Sequence, residues 1–173
     1  MTEEKYRLLP QDLAGYFYLA DIPHSEECRI ISDLFDSHGE WLGGCDRLRF
    51  KRSTADLLNV YETDSRTYSE AEFIMNEAGL SGLTKEEDAD YFGAYFKLIR
   101  LQLMYSDIPY RKIKLRNLMR DFGYKRRSKA FTDNIMSALR ALGLTPYLRG
   151  YESCHIAYAE PDEMIMIRIT EDI

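Results

Sequence analysis

Apolar residues recur along this chain at helical spacing in several separate stretches, and the clearest runs from Arg111 to Leu144. Leu115, Leu118, Met119 and Phe122 fall at i, i+3, i+4 and i+7, a single stripe on one helix. Gly123 ends that stripe, because glycine enters the left-handed conformation of a helix terminus at little cost. Tyr124 to Arg127 reads as a loop, and Ser128 is placed to cap a second helix. Phe131, Ile135, Leu139 and Leu142 make the second stripe, closed by Gly143. Two short amphipathic helices around a tight glycine-containing turn form a helix–turn–helix. The following segment, TPYLRGYESCHIAYAEPDEMIMIRI, carries two or three strand-like runs.

The same patterning orders the rest of the chain. Residues 1–13 read as a tail leading into the fold, and Gly15 to Ala20 as either a short strand or the start of a packed helix. Pro23 and Ser25 introduce a helix, with Ser25 as its cap, Ile31, Leu34 and Phe35 as its stripe and His38-Gly39 as its end. Gly43-Gly44 marks a turn. Alternation of Leu48 and Phe50 with Arg47, Arg49 and Lys51 predicts a strand with one basic face, followed by a short helix capped at Ser53 or Thr54. Capping boxes at Ser69 and Thr84 open two further helices. The first runs over about 70–77. The second reaches Tyr105, with Phe92, Tyr95, Phe96, Ile99 and Leu103 on one face, and is broken by Asp107-Ile108-Pro109.

The predicted fold is therefore α+β and mainly helical: a three-helix unit with a C-terminal β-hairpin over 84–173, preceded by a small acidic α/β region over 1–83. One continuous core remains an alternative. With 173 residues, 45% of them hydrophobic, the chain can fill a sizeable core in one domain or two small ones. No apolar run approaches the ~20 residues that span a bilayer, and the acidic start lacks secretory order, so a cytoplasmic protein is expected.

Charge separates the two parts. The first 88 residues carry a net −10 and the remainder a net +4. Within Arg111 to Lys129, nine cations face only Asp121, a net +8 on a chain of net −6. Basic residues concentrated at a helix–turn–helix are the expected footprint of a phosphate-binding surface, although exposed helix faces are also often basic. In such a motif the turn grips phosphate while the start of the second helix approaches base edges. The candidate nucleic-acid-binding residues are Lys112, Lys114, Arg116, Lys125, Arg126, Arg127, Ser128, Lys129, Thr132, Asp133, Arg140 and Arg149. Lys125, Arg126, Arg127 and Lys129 are the phosphate contacts among them, and Ser128, Thr132 and Asp133 the readers. If the Phe131 stripe faces the core, Lys129, Thr132, Asp133, Met136, Ser137 and Arg140 lie on the other faces.

The stretch from about Asp88 to Ile169 resembles the winged helix-turn-helix proteins, through LRNLMRDFGYKRRSKAFTDNIMSALRALGL and the strand pair after it. Its turn, FGYKRRSK, is longer and more basic than the usual one. The resemblance implies duplex DNA as partner, or a homodimer.

Other chemistries find less support. Cys28, Cys45 and Cys154 are odd in number and widely spaced, which implies reduced thiols rather than a disulfide framework. With His38 and His155 they offer zinc ligand types but no close pair such as C-x2-C, so no metal or cofactor is expected. His24, His38 and His155 are isolated and no hydrolase or nucleotide-binding fingerprint is present. Asp46, Glu62 and Asp64 would need to converge on a divalent cation to act as a nuclease. Two functions stand: a non-enzymatic nucleic-acid-binding regulator, for DNA first and RNA second, or a small acidic inhibitor or adaptor. The latter would bind a protein through the acidic half and occupy a nucleic-acid groove, as anti-CRISPR-like phage proteins do.

Overall fold

The computed structural model describes residues 7–63, 73–74, 88–148, 153 and 155–170. The chain is α+β and mainly helical, with one three-stranded antiparallel sheet. Its contacts divide it into two compact units, 1–67 and 68–173. The division at residue 83 expected from sequence and the capping boxes at Ser69 and Thr84 lie outside the described residues. Phe73 and Ile74, from the helix expected over 70–77, are helical and buried. No helix among the described residues is long and apolar enough to cross a membrane.

In the first unit α1 spans Pro10–Leu19, α2 His24–Ser37 and α3 Arg47–Thr63. Gly15 to Leu19 is thus helix, with Ala20 as its C-cap. The expected tail is in part core, since Leu8 and Leu13 are fully buried. Pro10 occupies the first helical position, where no amide donor is needed, and the Asp12 carboxylate accepts the Leu9 amide at 2.9 Å. The start of α2 differs from expectation. Pro23, not Ser25, is its N-cap, and Ser25 lies within the helix with Glu26 and Glu27 in the first turn.

The larger correction is α3. Arg47 to Lys51, expected as a strand, is the first turn of a continuous helix. The Asp46 carboxylate caps it by accepting the Arg49 amide at 3.1 Å. Phe50, Thr54, Leu58 and Tyr61 form its buried stripe, so Leu48, predicted to share a face with Phe50, is exposed. Thr54 is not a cap: its buried hydroxyl donates to the Phe50 carbonyl one turn back. α3 packs on α1, with the Tyr18 and Tyr61 rings 6.0 Å apart, and the Phe50 ring meets Phe35 edge-on. The Gly43-Gly44 turn forms as expected, with φ of 62° and 74°.

The second unit comprises α4 (Asp88–Tyr105), β1 (Arg111–Lys114), α5 (Leu115–Asp121), α6 (Lys129–Ala141), β2 (Leu144–Tyr147) and β3 (Met164–Ile169). Phe92, Tyr95, Phe96, Ile99 and Leu103 of α4 are all buried. β3 lies between β1 and β2, paired antiparallel with both, so the expected C-terminal hairpin is two-thirds of a sheet. β1 precedes the Leu115 helix, in a segment to which the sequence pattern assigned no element. Ile113 points inward with Ile165, Ile167 and Leu144, whereas Lys112 faces outward. Pro146, which cannot donate to a ladder, sits on edge strand β2. Arg100 of α4 donates a hydrogen bond to the Leu142 carbonyl beyond the end of α6, tying the two helices at an otherwise unfilled acceptor.

Candidate nucleic-acid interface

The turn between α5 and α6 is held by aromatic packing on its inner side. Gly123 takes φ 79°, reversing the chain, and the Tyr124 amide bonds the Met119 carbonyl at 2.7 Å. This carries the Tyr124 ring to 4.8 Å from Phe131 and 5.9 Å from Phe92, while Phe92 meets Phe131 edge-on at 5.6 Å. With Tyr124 anchored, Lys125 and Arg126 are exposed. Ser128 then caps α6 as expected, its hydroxyl accepting the Phe131 amide at 3.1 Å.

The outward stripe of α6 consists of Lys129, Asp133, Ser137 and Arg140, at i, i+4, i+8 and i+11. Thr132 does not belong to it. It is 3% exposed and its hydroxyl donates back to the Lys129 carbonyl at 3.0 Å, so it cannot read a base. Met136 is likewise buried, because the apolar face of α6 is wider than the Phe131 stripe alone. Five residues, Phe131, Thr132, Ile135, Met136 and Leu139, make up that face.

The described cations fall into three groups. Arg116 and Arg127 are engaged within the fold. The Arg116 guanidinium grips both carboxylate oxygens of Asp162, at 2.5 and 2.9 Å, and its amide bonds the Pro161 carbonyl. Arg127 donates to the Ala159 carbonyl. Together they fasten the β2–β3 connection to the helix–turn–helix. Lys125, Arg126, Lys129 and Arg140 form no ion pair among the described residues and are exposed. Lys112 and Lys114 stand apart on the outer face of β1, where the Lys112 ammonium lies 5.7 Å from the Tyr110 ring centroid. Arg149 lies outside the described residues.

No protein-family model, curated protein or solved structure matches the chain. What the surface can do follows from its residues: four free cations on one loop and one helix face attract polyanions, and Asp133 within the stripe opposes close approach there.

Sequence reasoning missed β1 and the tethered connection that carries Tyr158. β1 was legible only in the weak alternation of Lys112, Ile113 and Lys114. The tether was not legible at all, because the Arg116–Asp162 and Arg127–Ala159 contacts span 46 and 32 residues. The described members of the two alternative ligand sets lie as follows. Asp46 and Glu62 occupy opposite ends of α3, about 24 Å apart at 1.5 Å per residue, and Asp64 lies outside the described residues. Among the described residues no three His, Cys, Asp or Glu side chains gather as metal ligands. Cys28 and Cys45 are half-buried free thiols, and Cys154 lies outside the described residues.

Proposed function

We propose that the chain is a non-enzymatic nucleic-acid-binding protein that grips phosphates with the α5–α6 turn. The carrying observation is the exposure of Lys125, Arg126, Lys129 and Arg140 without acidic partners among the described residues, on a turn held by Tyr124 packing and the Ser128 cap. The element order supports the winged-helix reading. Helix, strand, helix, helix and two strands, with the last strand central in the sheet, is an arrangement that leaves the second helix of the motif open along one face. DNA is the first candidate and RNA the second.

The test is fluorescence anisotropy with labelled duplex and single-stranded DNA at several salt concentrations. Wild type binds at low salt and releases as salt rises. Arg126→Glu combined with Lys129→Glu abolishes binding while the circular dichroism spectrum is kept. Arg127 is left intact because it holds the β2–β3 connection. Absence of binding by the wild type at low salt overturns the proposal.

A second reading, an acidic adaptor or inhibitor that binds a protein, is favoured by Leu48 and Val60. These are 56% and 62% exposed on α3 of the acidic first unit, two apolar side chains open to a partner. Capture of a partner that Leu48→Asp and Val60→Asp both weaken would support it.

A further inference from the structure

We propose that Tyr158 is a stacking site for an unpaired base of the nucleic acid whose phosphates the α5–α6 turn holds; this rests on the function proposed above. Tyr158 is 84% exposed, in a short 3-10 turn (Ile156–Tyr158) of the β2–β3 connection. An aromatic ring left in water forgoes the burial that fixes most aromatic side chains. This ring is nonetheless presented by a firmly held backbone. Ile156 and Ala159 on either side are fully buried, and Arg127 of the basic turn donates to the Ala159 carbonyl next to the ring. Arg116 holds Pro161 and Asp162 just beyond. On the other side the His155 ring packs against Tyr158 at 5.8 Å, while His155 Nδ1 accepts the Ala157 amide at 3.0 Å.

The partner follows from charge and shape. The connection contains Glu160, Asp162 and Glu163, all exposed, so it does not attract phosphate by itself. Its contribution is the ring, and the cations come from the turn to which Arg127 ties it. In a fully paired duplex both faces of every internal base are covered by neighbours, whereas gaps, bulges and single strands expose a face that an aromatic ring can cover. The ligand class is therefore a nucleic acid with at least one unstacked base beside a stretch of phosphate backbone.

The experiment compares a fully paired DNA duplex with the same duplex carrying a single-nucleotide bulge of 2-aminopurine. Binding is read by anisotropy, and base environment by 2-aminopurine emission. Wild type is expected to favour the bulged probe and to quench its emission. Tyr158→Ala loses about tenfold in affinity for the bulged probe and the quenching, with the paired duplex unchanged; Tyr158→Phe retains both. Equal binding of the bulged probe by wild type and Tyr158→Ala overturns the stacking site while leaving the turn as a phosphate grip, provided Arg126→Glu with Lys129→Glu still loses both probes. Equal losses on both probes also overturn it, because a base-stacking ring has no effect on the paired duplex. If wild type binds neither probe, both proposals fall.

Discussion

Ser128 fixes where α6 begins, and through it where Lys129 projects. Its hydroxyl satisfies the Phe131 amide, one of the donors a helix start leaves unfilled. Ser128→Ala is expected to cost about 1 kcal/mol, seen as a lower midpoint in thermal unfolding, whereas Ser128→Asp retains the cap. Tyr16 gives a pH-dependent test in the first unit. Burial, then the nearby Glu26 charge, raises its phenol above the ordinary 10.0. A raised folded-state value favours the protonated form, so this contribution is complete below pH 10 and is lost as pH climbs through the higher folded value. Thermal unfolding between pH 9 and 11 should show a smaller alkaline loss in Tyr16→Phe than in wild type. An equal loss would assign the alkaline transition to other groups. At this scale the sequence was a good guide to Ser128 and a poor one to Thr132. A cap is a local pattern, whereas the exposure of Thr132 depends on what packs against the flank of α6.

Among the elements, α3 shows how a five-residue window misleads. Arg47 to Lys51 alternates as a strand does, yet the helical register that buries Phe50, Thr54, Leu58 and Tyr61 continues to Thr63 and outweighs it. Phe50→Ala is expected to cost about 3–5 kcal/mol, measured by denaturant unfolding of the first unit. Leu48→Ala, an exposed change on the same turn, should lie within about 0.5 kcal/mol of wild type. A strand would put both side chains on one face and would make the two losses comparable. The stripes of α4, α5 and α6 were legible because each pairs a long 3.6-residue period with a clear stop. β1 was not, being four residues long with one inward apolar side chain.

For the whole molecule, the opposition between a net −6 chain and a local cluster of exposed cations would set how the proposed binding responds to salt. If Lys125, Arg126, Lys129 and Arg140 each neutralise one phosphate, the plot of log affinity against log salt should have a slope of about −3 to −4. Single charge removals at these positions should each flatten it by about one, whereas Arg116→Ala, already paired with Asp162, should leave it unchanged. A slope near zero would mean that contacts other than phosphate neutralisation hold the ligand. The two-part charge division was visible in the sequence, as was the basic turn. Which cations are free was not, since that depends on partners 32 and 46 residues away.

The position of β3 bears on how the second unit is made. Among the described residues β1 and β2 do not pair with each other; each runs beside β3, which is synthesised after both. While the ribosome is still adding residues 148–163, both earlier strands expose unpaired edges, and the contacts of Arg116 and Arg127 with the connection do not yet exist. The contacts of Arg116 and Arg127 are therefore completed only once residues 159–162 have been made, and a nascent chain stopped before Met164 would carry the basic turn without a completed sheet.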